Sequence, residues 1–320
     1  MSKRIDKDLL KGVADLPIEE QKEILELLEA LEETEKKERA REEFMGFVNY
    51  VWPAFIEGRH HKIMADAFER VARGELKRLI INMPPRHTKS EFASYLLPAW
   101  FLGKYPEKKI IQTAHTAELS VGFGRKVRNL VDAEDYKTVF PDLGLRSDSK
   151  AAGRWSTNKN GEYFAIGVGG AVTGKGADLL IIDDPHSEQE GQSADPGVFD
   201  RVYEWYTSGP RQRLQPGGAI VVVMTRWHKR DLTGQIIKSS VQRAGTDEWE
   251  VIEFPAIMPS GKALWPEFWS LDELTSLQNE LPAPKWNAQY QQNPTSEEGA
   301  LVKREWWRDG TMIVRRRVNL

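Results

Sequence analysis

The sequence of 320 residues contains no cysteine. Disulfides and thiolate metal sites are therefore excluded, and the absence suits a protein that works in a reducing, intracellular compartment. No apolar run reaches the roughly 18 residues that a membrane span requires, and the N-terminal MSKRIDKDLL lacks the apolar segment of a secretory signal. We therefore expect a globular protein that acts inside the cell without contacting a membrane.

The chain also lacks a large excess of charge of either sign, since its net charge is −3. Residues 1–43 carry 9 Lys and Arg against 14 Asp and Glu, a net of −5, so the rest of the chain carries +2. Any contact with nucleic acid must then use a local basic patch.

This acidic N-terminal segment is predicted to form a helical arm over residues 16–43. Its apolar residues recur at i, i+3, i+4 and i+7 and form one stripe, made of Ile24, Leu27, Leu28 and Leu31. The stripe docks either on the body of the same protein or on a partner, and the sequence leaves both open.

The chain is organised around a strand, a turn and a helix between residues 77 and 90. The apolar run 79–81 predicts a buried strand, a turn follows over 82–88, and Lys89 and Ser90 open a helical stretch. Such an arrangement presents backbone N–H groups to phosphates at a helix N-terminus. Lys89 fits the residue that reaches the β/γ-phosphates, and Ser90 fits the hydroxyl that binds Mg²⁺.

Glycine is missing where a loop of this kind usually has it. In the pattern G-x-x-x-x-G-K-[ST], the two glycines would stand at the positions of Met83 and Thr88. Pro84 and Pro85 offer one reason, because a loop with fixed φ needs less backbone freedom.

A second candidate for the site is the run LLIIDD at residues 179–184. Four consecutive apolar residues favour a central parallel strand that is buried on both faces, and two carboxylates follow at its C-terminal end, where ligands bind in open α/β sheets. Asp183 is placed to hold Mg²⁺, and Asp184 to orient or deprotonate the attacking water. The alternative is that the two aspartates simply begin a turn.

Short apolar runs alternate with helical stretches along the rest of the chain. Strands are predicted at 109–113, 163–167, 219–224 and 249–254, and helices at 91–102, 118–131, 201–214 and 271–280. The alternation is typical of a parallel sheet covered by helices. We therefore predict an α/β fold with a P-loop NTPase core of the ASCE or RecA-like type and a small C-terminal subdomain. The predicted units are the arm 1–43, the core 44–254, and the subdomain with a linker, 255–320.

Two stretches of the core carry weaker signals. Residues 141–161 are polar and rich in turn formers, which predicts a surface segment. Residues 167–176 are dense in glycine, which predicts a mobile loop or close approach of the backbone to a ligand.

Thr225 and Arg226 follow the apolar strand 219–224. A polar residue there, beside the strand of Asp183, can sense the γ-phosphate, so Thr225 is the candidate coupling residue. Arg226 either shares that role or is structural. The adjacent His60 and His61 lack the i, i+4 spacing of a metal site on a helix. A structural role or a contact with the edge of the nucleotide is expected instead, with His61 a candidate for the adenine.

Four motifs in order resemble those of the large terminase subunit of tailed bacteriophages, the ATPase motor that packages DNA into the prohead. MPPRHTKSE (83–91) resembles its deviant Walker A motif, and LLIIDDPH (179–186) resembles its Walker B motif with the adjoining catalytic carboxylate. VVVMTRWHKRDLTG (221–234) resembles its coupling motif, and WNAQYQQNPTSEEGALVKREWW (286–307) the segment that leads toward a nuclease domain. The resemblance covers roughly residues 44–307.

The resemblance implies ATP hydrolysis with ATP and Mg²⁺ as cofactors. Nucleotide contacts are expected from the loop, namely Pro84, Pro85, Arg86, His87, Thr88, Lys89 and Ser90. Ser90 and Asp183 would hold Mg²⁺, Asp184 would align water, and Thr225 would couple hydrolysis to movement. Arg86 either stabilises transition-state charge within the same subunit or shapes the loop through a salt bridge.

The chain departs from the family at two places. Members continue into an RNase H-like nuclease domain, whereas this sequence stops where that domain would begin, so no nuclease activity is expected of it. Members also often carry an arginine in the glycine-rich loop that acts on a neighbouring subunit's nucleotide. Lys175 is the best match here, and a lysine lacks the bidentate fork of arginine.

The resemblance also implies partners and a location. Double-stranded DNA would be bound through its phosphates independently of sequence, and the other partners would be the portal protein, the small terminase subunit and further copies in a ring. The location would be the cytoplasm of an infected bacterium. Two alternatives remain: another P-loop translocase or helicase-type ATPase, and a non-catalytic assembly or DNA-binding module that kept the fold.

Overall fold

The computed structural model describes residues 16–191, 193, 195, 197–242, 245, 247–295 and 315–317. A sheet of nine described strands lies at its centre. The strands are β1 (Arg78–Asn82), β2 (Lys109–Ala114), β3 (Leu145–Ala151), β4 (Arg154–Thr157), β5 (Glu162–Gly167), β6 (Ala177–Asp183), β7 (Leu214–Met224), β8 (Glu250–Glu253) and β9 (Arg315–Arg317).

The strands are arranged in the order β3-β4-β5-β2-β6-β7-β1-β8-β9. The pairings from β5 to β9 are parallel, while β3 and β4 form an antiparallel edge on β5. Because parallel strands end at the same edge, the residues that follow β1, β6 and β7 meet there. The predicted α/β fold, a P-loop NTPase core with a mostly parallel sheet, is confirmed.

The central strands are apolar throughout because both faces of the sheet are covered. Leu79 and Ile81 of β1 join the core on one face, and Ile80 between them joins the core on the other. Successive strand residues point to opposite faces, so an unbroken apolar run needs a covering layer on each.

The covering layers consist mainly of helices that connect the strands. The helices are α1 (Ile18–Glu42), α2 (Phe44–Val51), α3 (Arg59–Ala72), α4 (Leu97–Lys104), α5 (Ala117–Asp132), α6 (Glu134–Val139), α7 (Glu188–Gly191), α8 (Gly197–Ser208), α9 (Leu232–Gln242), α10 (Leu271–Glu280) and α11 (Ala283–Gln289). A short 3₁₀ turn, Pro210–Arg213, leads into β7.

The helix predicted at 91–102 begins instead with a π-helical turn, Glu91–Leu96, which continues into α4. Pro98 has no N–H to donate to the carbonyl of Ser94, and the wider turn before it accommodates that missing bond. The turn also brings the Ser94 side chain against the end of β6, where it becomes part of the site.

The segment 141–161 lies largely at the surface, as predicted, and it also contains the strands β3 and β4. Trp155 of β4 is fully buried and stacks on Tyr163 of β5, with ring centroids 5.0 Å apart. Its indole N–H donates to the carbonyl of Gly124, 3.2 Å away. Only one face of this hairpin is buried, so its sequence is mostly polar and shows no long apolar run.

Helix α1 confirms the predicted arm but does not fully bury its apolar stripe on the body. Its C-terminal end is held, since the Ala40 carbonyl accepts the indole N–H of Trp100 at 3.2 Å and the Arg41 guanidinium donates to the Val139 carbonyl. Leu27 and Leu31, by contrast, are 64% and 56% exposed. Ile24 and Leu28 of the same stripe are half-buried, so the described body covers the stripe only in part, and docking on a partner stays a prediction.

The segment after β8 forms a small cluster of its own from Ala256, Ala263, Leu274 and Trp286, which agrees with the predicted small subdomain. The predicted domain boundaries themselves stay predictions, and residues 1–15 and 296–314 lie outside the described part. No helix in the described part is both long and apolar enough to cross a membrane.

Candidate active site

The loop between β1 and the helical stretch at Lys89 has an unusual backbone. Arg86 has φ +62° and Thr88 has φ +68°, and His87 between them keeps an ordinary negative φ. Alternation of this kind turns successive backbone N–H groups toward one side and forms a concave nest for anions. The loop therefore has the backbone of an anion site although it contains no glycine.

Thr88 stands where the second glycine of the usual motif would be, and it adopts the conformation that such a glycine would adopt. For a β-branched residue this conformation is strained, at a cost of about 1–3 kcal/mol. Met83, at the first glycine position, is not among the residues of positive φ. Pro84 and Pro85 can therefore explain the missing glycine at position 83, but not the one at position 88.

A chain of three hydrogen bonds meets at Thr88. The backbone N–H of Gly58 donates to Nδ1 of His61 at 2.8 Å, and Nε2 of His61 lies 2.7 Å from Oγ1 of Thr88. The Thr88 hydroxyl in turn donates to the carbonyl of His87. Burial, together with the charge of nearby His87, lowers the pKa of His61 to about 3, so the ring is neutral.

His61 therefore does not occupy the position predicted for an adenine contact. It is fully buried behind the loop, both of its ring nitrogens are bonded, and it does not line the cavity. The buried surroundings of His60 and His61 fit the expected structural role better than a contact with the nucleotide.

Lys89 is buried and forms an ion pair with Asp184, with Nζ 2.8 Å from Oδ2. Burial alone would lower the pKa of Lys89, but Asp184 and Asp183 outweigh it and the net shift is upward. The lysine therefore stays charged, and it holds the position between loop and carboxylates from which it can reach a phosphate.

Asp183 lies in a corner formed by two hydroxyl groups. Ser90 Oγ donates to its Oδ1 at 2.9 Å, and Ser94 Oγ donates to its Oδ2 at 2.8 Å. Burial, and after it the charge of Asp184, raises the pKa of Asp183 to about 7 against the opposing effect of Lys89. A buried carboxylate beside a hydroxyl is a donor set that suits Mg²⁺, whose charge would stabilise the ionised form.

Asp184 is held by the strand next to its own. Its Oδ1 accepts the backbone N–H of Thr225 at 2.7 Å, and its φ of +38° turns the residue out of the strand direction. The Thr225 hydroxyl donates to the carbonyl of Met83 at 3.1 Å. Thr225 thus connects the second carboxylate with the first residue of the loop, which is the position that a coupling residue requires.

Arg226, in contrast, is only 5% exposed and faces away from the cavity into a buried charge cluster. Its Nε lies 2.9 Å from Asp231, and its guanidinium lies 3.6 Å from Glu253. Its backbone N–H donates to the side chain of Gln292 in the C-terminal segment. The structural alternative for Arg226 fits this position.

Arg86 lies at the exposed tip of the loop and lines the cavity. It forms no ion pair with any residue that the structure describes, so the predicted loop-shaping salt bridge is not seen there. Its carbonyl accepts the indole N–H of Trp269 at 3.4 Å, which ties the tip of the loop to the C-terminal segment.

Lys175 lies near the opposite edge of the sheet, close to the start of β5. Its Nζ is 3.6 Å from Glu162 and 5.2 Å from the ring centroid of Phe164. The side chain is only 16% exposed, so it is committed within its own subunit. Within the glycine-rich loop, a Cβ on Gly167 would stand 2.4 Å from the backbone N of Ala117, so this glycine serves packing.

A cavity of about 910 Å³ joins these residues to an aromatic wall that the sequence did not predict. At one end lie Lys89, Ser90 and the two aspartates, and at the other lie aromatic and aliphatic side chains from two segments. These side chains are Trp52, Phe55, Ile56, Trp265, Phe268 and Trp269. Their only signal in the sequence is the high tryptophan content of the chain, 11 of 320 residues, which by itself indicates packing.

Solved structures that the chain resembles include the large terminase of bacteriophage HK97, at 14% identity and a TM-score of 0.47 over 75% of this chain and 51% of that one. The large terminase ATPase domain of Thermus phage P74-26 matches at 15% identity and a TM-score of 0.44, over 72% and 93% of the two chains. The large terminase of the thermophilic bacteriophage D6E, solved in complex with ADP, matches at 10% identity and a TM-score of 0.40, over 69% and 51%.

No family model and no curated protein matches the sequence. The chain spans about half the length of the HK97 protein. What the chain does must therefore be argued from the residues of its own site.

Proposed function

We propose that this chain is the ATP-hydrolysing motor domain of a viral terminase large subunit and drives double-stranded DNA into a procapsid. The observation that carries the enzymatic part is the convergence of Lys89, Ser90, Asp183 and Asp184 around one cavity. They come from two segments at the sheet edge, and Lys89 lies within hydrogen-bond distance of Asp184 as Ser90 does of Asp183. The four motifs that resemble those of terminases support the finer assignment.

Phosphoryl transfer to water depends on positioning and charge neutralisation more than on covalent chemistry. Lys89 exchanges its bond with Asp184 for the β/γ-phosphates, which enter the nest formed by residues 86–88. Ser90 and Asp183 would hold Mg²⁺, which would neutralise charge on the phosphate oxygens when bound. Once Lys89 has left, Asp184 is free to accept a hydrogen bond from the attacking water and align it.

Thr225 responds to this exchange because it bonds both Asp184 and the Met83 carbonyl of the loop. When Asp184 shifts from Lys89 to water, the backbone N–H of Thr225 follows it, and the Met83 carbonyl transmits the movement to the loop. The next residue, Arg226, is bonded to Gln292, so the movement reaches the C-terminal segment.

The aromatic end of the cavity suits the base of the nucleotide. Phe268 is 51% exposed and Ile56 is 44% exposed, although both line the same cavity as Lys89. Apolar side chains exposed in this way gain by stacking on a heterocycle. We expect adenine contacts from the residues at 52–56, which precede the loop, and from the segment at 265–269.

The remaining partners follow the resemblance to terminases. DNA would be held through its phosphates, with affinity that falls as salt rises, while copies of the chain form a ring on the portal and meet the small subunit. A neighbour's residue would complete the site in that ring. Lys175 remains the predicted candidate for that role, although its side chain is committed within its own subunit.

The test is steady-state ATP hydrolysis with Mg²⁺ over a range of protein concentrations. Lys89→Ala should abolish turnover without unfolding the chain, and Lys62→Ala, an exposed lysine paired with Glu57, serves as the matched control. A rate per subunit that climbs with concentration would indicate a residue acting from a neighbour. Hydrolysis that persists in Lys89→Ala would overturn the assignment of the site.

A non-catalytic module is the second candidate, and two observations favour it. Thr88 replaces the glycine at a strained position, and Lys89 already forms an ion pair with Asp184. Under this alternative, the protein would bind ATP but show no turnover at any concentration, with or without DNA. A DNA-stimulated rate would exclude it.

A further inference from the structure

Thr88 is the residue of the loop whose conformation needs an explanation. It is β-branched, has φ +68°, and directly precedes Lys89. Glycine adopts this φ without cost, whereas a threonine keeps it only when neighbouring groups enforce it. Some contact must therefore hold Thr88 in place before a phosphate arrives.

His61 is the group that bonds the Thr88 side chain from outside the loop, and its direction of bonding is fixed. Because Nδ1 accepts the N–H of Gly58, it carries no proton, and the neutral ring must carry its proton on Nε2. Nε2–H therefore donates to Thr88 Oγ1, which leaves the hydroxyl proton for the carbonyl of His87. Thr88 Oγ1 thus accepts one hydrogen bond, from His61, and donates one, to the His87 carbonyl.

The ring itself cannot easily move. His61 is fully buried at the start of α3, with ring centroids 4.9 Å from both Phe92 and Trp265 and 4.7 Å from Phe55. The tightly packed His61 ring thus joins the N-terminus of α3 to the phosphate-binding loop.

We propose that His61 is a positioning residue that holds Thr88, and through it the phosphate-binding loop, in the conformation that a glycine would adopt unaided. The inference rests on the proposed nucleotide site for its functional consequence. Its structural content, the coupling between residues 61 and 88, stands independently of the ligand.

The test is a double-mutant cycle with His61→Phe and Thr88→Gly, measured by ATP·Mg²⁺ binding and by denaturant unfolding. His61→Phe keeps a ring of similar shape but removes both hydrogen bonds. In the threonine background it should weaken ATP binding about tenfold, and Thr88→Ala, which keeps the strain but loses the hydroxyl, should do the same. In the glycine background the same change should weaken binding less than about twofold, whatever Thr88→Gly does by itself.

A second pair of variants separates positioning from packing. His61→Gln keeps a donor near the place of Nε2, and His61→Asn keeps only an acceptor near the place of Nδ1. An ATP affinity that is closer to the wild-type value in His61→Gln than in His61→Asn supports the proposal. Equal loss in both, or a His61→Phe effect that is the same in both backgrounds, overturns it.

The two readouts distinguish this proposal from the proposed function. If the wild type bound no ATP, the nucleotide site would be refuted, and the unfolding cycle would still decide the coupling. Unfolding midpoints that are additive for His61→Phe and Thr88→Gly would refute the coupling even in a protein that binds ATP.

Discussion

Two fully buried aspartates at the same edge of the sheet have pKa values shifted in opposite directions. Asp231 accepts the guanidinium of Arg226 and the backbone N–H groups of Trp227 and Gly234, at 2.9 to 3.1 Å. Burial alone would raise its pKa, but Arg226 outweighs burial and the net shift is downward. Asp183 accepts only two hydroxyls, and its pKa is raised to about 7.

The difference separates a structural charge from a functional one. Asp231 is paired on every side and closes a turn, so nothing further is needed there. Among the residues that the structure describes, Asp183 has no cation of its own, because the nearest, Lys89, bonds its neighbour Asp184 instead. A buried carboxylate left with neutral partners favours a bound cation, which is the condition that the proposed Mg²⁺ site requires.

The largest effect on stability is expected from Asp231→Ala. Removing this carboxylate takes away the nearest partner of the buried Arg226 guanidinium and the acceptor of three backbone N–H groups. Breaking a buried pair costs about 3–5 kcal/mol, to be measured as the free energy of unfolding in denaturant. Asp200→Ala, which breaks an exposed pair with Arg230, is the control and should cost under about 1 kcal/mol. If the two substitutions lowered the free energy of unfolding equally, the buried pair of Arg226 and Asp231 would contribute no more to stability than the exposed pair.

Asp184→Asn should have the opposite profile, with a small change in stability and a large loss of turnover. The amide keeps an acceptor for the Thr225 N–H but cannot align water as a carboxylate does. We expect kcat to fall by about a hundredfold or more, as is usual for a lost general base, with ATP binding retained. A kcat within about threefold of wild type would remove Asp184 from the mechanism.

Below pH 6.5 the protein should lose stability because of His60, His61 and His87. Burial, as the largest cause, lowers their pKa values to about 2, 3 and 4. The unfolded chain therefore binds more protons than the folded one between these values and about 6.5, so stability is full above pH 6.5 and falls as the pH drops.

Neither ring nitrogen of His60 has a hydrogen-bond partner in the described structure, which makes it the simplest of the three to replace. His60→Leu should reduce the pH dependence of the unfolding free energy between pH 6.5 and 5 by up to about 1.4 kcal/mol per pH unit. The slope with pH, rather than the stability at one pH, separates titration from altered packing. An unchanged slope would show that His60 does not titrate on unfolding.

The smallest effect is expected from Thr225→Val. The substitution keeps the backbone bond to Asp184 but removes the hydroxyl bond to the Met83 carbonyl, which costs about 1 kcal/mol of stability. Turnover should fall more than ATP affinity if this bond couples the carboxylate to the loop. Thr225→Ser, which keeps the hydroxyl, should retain the wild-type ratio of the two.

Much of the fold and part of the site follow from local sequence. The apolar runs at 79–81, 179–182 and 219–224 predict central strands because only two covered faces make an unbroken run favourable. Lys89, Ser90 and the two aspartates follow from their positions at strand ends. The edge hairpin at 145–157 escaped prediction because a strand buried on one face leaves only a short and weak alternation.

Sequence alone determined which residues stand at the carboxyl edge of the sheet, and so which chemistry is available there. Tertiary structure decided their partners: Ser94 with Asp183, His61 with Thr88, and Arg226 with Asp231 rather than with the cavity. It also brought the aromatic segment at 265–269 to a loop nearly two hundred residues earlier. Local patterns record burial and backbone preference, whereas these contacts depend on strand order and helix packing, which no short stretch of sequence encodes.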